Sequence, residues 1–281
     1  MPSEARPCLT TMGEHPPTVR PGRAALAGIV LAAFALALSL RPLLFRSDAF
    51  RAFYSAHPWQ LGESIWKAGW VLIALAALGL ANRGGVRAAA RELGLLGVDV
   101  RRGLLFAFLS ALPALITFAV AFPLRQPLDP WQLWMTVIVS PVSEEILFRG
   151  FAFRQLHERA GWPLWLALLV TAVPFAWGHA SQAGAAGGAV ALLGVLAVTG
   201  LGAALFAWLF LRAGYNLWFV IAIHSLLNAY WYAFAVSDTA VGGWLSNAAR
   251  LACILLAVWL SGVLGRREGI PEPAVTGARA A

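Results

Sequence analysis

Eight stretches of the chain, near residues 24–40, 64–81, 103–123, 131–152, 163–180, 189–211, 216–235 and 244–264, are apolar over lengths that approach or reach a bilayer's thickness. A hydrocarbon core of about 30 Å takes roughly 20 residues of helix, and backbone polar groups inside it must bond within the protein. Such runs predict an all-α fold, a polytopic integral membrane bundle of about eight transmembrane helices. Composition agrees, with 60% hydrophobic residues, 12% charged and a mean hydropathy of +0.72, far from the values of soluble domains. Residues 1–23, rich in Pro and charge, read as a disordered leader in which Met12 is an alternative start to Met1. The membrane domain is expected over 24–265 and a disordered cytoplasmic tail over 266–281. The segment Arg20–Leu40 resembles a signal peptide in its basic flank and apolar core, but "LALSLRP" offers no small-x-small cleavage site, so it reads as a retained first helix.

The net charge of +8 raises the possibility of a nucleic-acid partner, but its distribution argues against one. With the N-terminus cytoplasmic and eight alternating spans, fifteen basic residues fall on the cytoplasmic side: Arg6, Arg20, Arg23, Arg83, Arg87, Arg91, Arg101, Arg102, Arg149, Arg154, Arg159, Arg212, Arg266, Arg267 and Arg279. Six fall opposite: Arg41, Arg46, Arg51, Lys67, Arg125 and Arg250. This is the positive-inside pattern, and it predicts a cell inner-membrane protein with both termini cytoplasmic and the lipid bilayer as the partner of its basic surface. The connection 82–102 is expected to lie on that face as an amphipathic helix. The 41–63 loop carries Phe50, Phe53, Tyr54 and Trp59, which suit the opposite interface. Cys8 and Cys253 lie in unlike surroundings and predict no disulfide.

An ionisable side chain inside a span costs roughly 2.5–3.5 kcal/mol on insertion scales, so each requires a partner or a role. The fourth run carries Glu144, Glu145 and Arg149 in "SPVSEEILFRGF", the fifth His179 in "FAWGH", and the seventh His224 and Asn228 in "HSLLN". Residues four apart share a helix face whereas neighbours point about 100° apart. Glu145 is therefore expected to pair with Arg149, leaving Glu144 as the free carboxylate. Pro141 removes a backbone donor three residues earlier and predicts a kink or water pocket beside Glu144. Counting helix rise puts Glu144 and His179 at one depth and His224 less deep, and His224 and Asn228 on one face.

A carboxylate, two imidazoles and an amide in an apolar cavity can activate water, with Glu144 as base, His179 holding the water, and His224 and Asn228 donating to a developing oxyanion. Glu144, His179 and His224 also form a two-His, one-carboxylate set for zinc. An intramembrane Glu and His can instead bind protons or ions in a non-catalytic transport or immunity protein.

These residues resemble the CAAX prenyl protease and bacteriocin-processing family (CPBP) of intramembrane proteases, which includes lysostaphin-resistance-type and Abi-type members. The resemblance covers about 131–232. Glu-Glu-x-x-x-Arg corresponds to Glu144, Glu145 and Arg149, Phe-x-x-x-His to Phe175 and His179, and His-x-x-x-Asn to His224 and Asn228. It implies an endopeptidase of glutamic or metallo type, acting on a membrane-associated peptide or protein tail in a helical cavity that reaches the cytoplasm and the bilayer. It also implies Glu144 and His179 as the base pair, His224 and Asn228 at the oxyanion, and Glu145 in support. Metal-independent catalysis is favoured, since Asn228 is a poor zinc ligand. An arginine-rich chain with one lysine reads as bacterial, where the resemblance allows bacteriocin or pheromone maturation, cleavage of C-terminal sorting signals, or self-immunity.

Overall fold

The computed structural model describes residues 21–82, 84–184 and 188–267, and the described residues contain helices and no strand. The leader, Cys8, Met12, Arg83, residues 185–187 and the tail from 268 lie outside the described residues. We number the helices α1 (Arg23–Leu44), α2 (Asp48–Ala56), α3 (Trp59–Asn82), α4 (Gly85–Glu92), α5 (Val100–Ala121), α6 (130–159), α7 (Leu164–Gly178), α8 (Gly188–Arg212), α9 (Leu217–Ala233) and α10 (Trp244–Arg267). All eight expected runs are helices. α1, α3, α5, α8 and α10 are long and apolar enough to cross a membrane by length and composition, and α7 and α9 are shorter apolar helices.

The periodicity of burial explains the packing. Leu26, Val30, Phe34 and Ala37 form the buried stripe of α1, and Trp66, Trp70, Ala74 and Leu78 that of α3; the two helices pack together. The outward faces are also apolar, with Leu72, Leu80, Ile116, Val120, Leu201 and Leu255 exposed, as expected where lipid is the solvent. α5 offers Gly103, Ala107, Ser110, Ala111 and Ala114 on its buried side, and small residues let α9 and α10 approach it closely. Side-chain caps close several N-termini: Asp99 accepts from the Arg102 N–H, Asp129 from Trp131, and Asn216 from Phe219.

α6 is the axis of the bundle. Every residue from Glu145 to Phe153 is buried, and the backbone is widened to π geometry over Trp134–Val139 and Glu145–Phe153. Between these stretches lies the short α turn Ser140–Glu144, which holds Pro141. Around Pro141 the helix is locally widened: the Ser140 N–H bonds to the Met135 carbonyl five residues back, and Ser143 Oγ donates to the Val139 carbonyl at 2.6 Å. Widened turns of this kind accompany functional sites in other helices.

The 82–102 connection is only partly helical. After α4 the chain turns at Gly94, whose φ of +84° suits glycine, and docks on the bundle. Leu217 N–H donates to the Gly94 carbonyl, Trp218 Nε1 to Leu95, and Asn216 Nδ2 to Asp99. Glu92 pairs with Arg159 at the end of α6. These contacts fix the end of the bundle remote from the candidate site.

Candidate active site

Glu144, Glu145, Arg149, Phe175, His179, His224 and Asn228 all line one cavity of about 580 Å³, within the range of small-ligand sites. α6 supplies the carboxylates, the C-terminal turn of α7 supplies His179, and α9 supplies His224 and Asn228.

Glu144 is not a free carboxylate. Lys67, the chain's single lysine, reaches from α3 and places Nζ 2.5 Å from Glu144 Oε1. Both side chains are buried, at 7% and 10% exposure, so Glu144 carries its own counter-ion. The ammonium also lies 5.1 and 5.0 Å from the ring centres of Trp66 and Trp70, a cation–π setting that offsets part of the cost of burying it. Sequence reasoning assigned Lys67 to the outer surface because it stands near the start of its apolar run. A signal was nevertheless present, since a lone lysine inside a span meets the same test as Glu144.

Glu145 serves more than Arg149. Its Oε1 lies 3.1 Å from Arg149 Nη1 and 2.8 Å from His224 Nδ1. The Arg149 contact is an ion pair without hydrogen-bond alignment, and Nη1 and Glu145 Oε2 are both buried without a hydrogen-bond partner. Arg149 Nη2 donates to the Ala203 carbonyl at 3.3 Å, and the guanidinium lies 4.6 Å from the Phe175 ring centre. The contact between Glu145 and His224 brings His224 level with the α6 carboxylates. Rise counting placed it shallower because a ruler along one helix ignores where its start sits relative to its neighbours.

The two histidines are held alike. His179 Nδ1 lies 2.8 Å from the Phe175 carbonyl, which can only accept, so Nδ1 carries the hydrogen and Nε2 keeps its lone pair. Phe175 thus sets the ring's tautomer through its backbone and braces it with its own ring 4.7 Å away. His224 is anchored at Nδ1 by Glu145, which also leaves Nε2 for a ligand. Asn228 donates one amide hydrogen to the Thr136 carbonyl at 3.0 Å, in the widened first part of α6, and its second amide hydrogen is left for other use.

The zinc set fits poorly. A divalent cation at Glu144 would compete with an ammonium already 2.5 Å from one of its oxygens, and like charges at that spacing repel strongly in a buried site. Among the described residues, no three His, Cys, Asp or Glu side chains are gathered so as to hold a metal ion.

Residues 126–230 match the family described as Type II CAAX prenyl endopeptidase, Rce1-like. The matched segment runs from the start of α6 into α9 and contains each of the seven motif residues, while Lys67 lies outside it. Neither a search of curated proteins nor one of solved structures gives a match.

Proposed function

We propose, for a membrane protein of the Rce1-like intramembrane endopeptidase family, that Glu144 and His179 activate water to hydrolyse a peptide bond in a membrane-associated tail. The observation that carries this reading is the shared cavity in which one buried carboxylate and two anchored imidazoles face the same space.

The steps follow from these contacts. Water in the cavity gives one proton to Glu144 as its oxygen attacks the scissile carbonyl, while its other O–H, which it keeps, donates a hydrogen bond to His179 Nε2 and so is aimed. The C–O bond forms as the carbonyl π pair moves onto oxygen. That oxyanion is met by the Nε2 edge of His224, whose ring Glu145 holds through Nδ1, and by the second amide hydrogen of Asn228. Glu144 then passes its proton to the leaving nitrogen as the oxyanion's pair re-forms the C=O bond and the C–N bond breaks, giving a carboxylic acid and an amine. Lys67 holds the Glu144 carboxylate in place until the proton arrives. Glu145 and Arg149 orient His224.

The reaction is proposed to need no metal, because Lys67 already supplies positive charge at Glu144; a chelator should leave cleavage unchanged. Among the described residues, the cavity lining includes connections of one end of the bundle and none of the other. A hydrolytic pocket needs no more than this, whereas a proton or ion relay needs groups continuing to both faces. We assign the chain to the inner membrane with both termini cytoplasmic and all eight apolar helices spanning.

A comparison of membrane-protein termini between cells carrying wild type and Glu144→Gln tests the reading and finds the substrate. A set of termini should vanish in the variant at equal protein level; identical termini would overturn the assignment.

A further inference from the structure

The connections that line the cavity all lie at one end of the bundle. Arg125 comes from between α5 and α6, Gln182 follows α7, and Ser237–Ala240 join α9 to α10. The connections of the opposite end, 93–99, 160–163 and 213–216, contribute no lining residue.

The two ends differ in basic charge. With Lys67 and Arg149 buried in the site, the end remote from the cavity keeps Arg23, Arg87, Arg91, Arg101, Arg102, Arg154, Arg159, Arg212 and Arg266 among the described residues. The mouth end keeps Arg41, Arg46, Arg51, Arg125 and Arg250. Nine against five, in short connections and at helix ends, marks the mouth as the extracytoplasmic end. The resemblance described above implies a cavity reaching the cytoplasm, and the charge pattern of this chain points the other way.

Two of the five arginines retained at the depleted end line the mouth itself. Arg250 lies 3.7 Å from the Trp231 ring centre, and its Nη1 donates to the Ala240 carbonyl at 2.6 Å and to Asn247 Oδ1 at 3.1 Å. Arg125 donates through Nε to the Tyr232 carbonyl at 3.1 Å, and its Nη2 lies 3.8 Å from the exposed Asp238. Both guanidinium groups are braced on aromatic rings and line the cavity, and a guanidinium's fork of donors suits a carboxylate.

We propose that the cavity is loaded from the extracytoplasmic face by a peptide segment whose acidic group docks on Arg250 and Arg125 while its scissile bond lies at Glu144. This rests on the peptidase reading for its chemistry, but the side of entry does not.

Side of entry is tested by cysteine labelling in spheroplasts with a membrane-impermeant maleimide, using Asp238→Cys at the mouth and Glu158→Cys at the opposite end, each in a Cys8→Ser background. Asp238→Cys should label in intact spheroplasts and Glu158→Cys only after lysis. The reverse pattern, or equal labelling of both, overturns the proposal whether or not the protein cleaves anything. The acidic contact is tested by adding Arg250→Gln and Arg250→Lys to the comparison of termini. Losing a charge-assisted contact should lower the Glu144-dependent termini by about tenfold or more in Arg250→Gln, while Arg250→Lys retains most of them. Unchanged termini in Arg250→Gln, or equal loss in both variants, overturns the contact.

Discussion

Lys67 and Glu144 stand 77 positions apart in sequence and 2.5 Å apart in space, so each is the main reason the other can be buried. Removing one partner of a buried pair strands the other charge, at a cost of about 3–5 kcal/mol, whereas removing both is much milder. Lys67→Met should therefore lower thermal stability in detergent, and Lys67→Met combined with Glu144→Gln should recover most of the loss. A double variant no more stable than Lys67→Met would refute the pairing. Glu144→Gln alone should lose less stability than Lys67→Met, because the amide carbonyl still accepts from Nζ although the ammonium is left without its counter-charge. Glu145→Gln is expected to behave differently. Its carboxylate faces both Arg149 and His224, so the variant should lose stability and activity together, and a stable Glu145→Gln protein without activity would assign Glu145 a more direct part in the chemistry.

At the scale of elements, helix positions were legible in the sequence because apolar length and periodicity report directly on lipid and core. The eight runs became helices with ends shifted by only a few residues in most cases, and the Glu145–Arg149 contact followed from i,i+4 spacing. The widened backbone of α6 was not legible, since the contact that meets it, from Asn228 Nδ2 to the Thr136 carbonyl, comes from a helix far away in sequence. Nor was the docking of the α4 turn, which rests on Gly94. A side chain there would meet both its positive φ and the Tyr215 carbonyl. Gly94→Ala is expected to cost about 1–3 kcal/mol, read as a fall of about 2–10 °C in Tm, with the cavity residues in place; an unchanged Tm would mean that this turn does not hold the remote end.

For the whole molecule, the motif residues were legible because ionisable groups in spans are few, and the cavity gathers all seven. Their wiring was not, because Lys67 and Arg250 enter from helices far from the motifs in sequence, and no spacing rule links them to Glu144. The central claim is that this cavity hydrolyses a peptide bond with water activated at Glu144. Its most direct measurement uses the purified protein in lipid nanodiscs, incubated in heavy-oxygen water with a tail peptide identified by the comparison of termini, and mass spectrometry of the product. Wild type should place one heavy oxygen in the new C-terminal carboxylate, at a rate that falls by at least about a hundredfold in Glu144→Gln. A product without the label, or one formed equally fast by Glu144→Gln, would contradict the account.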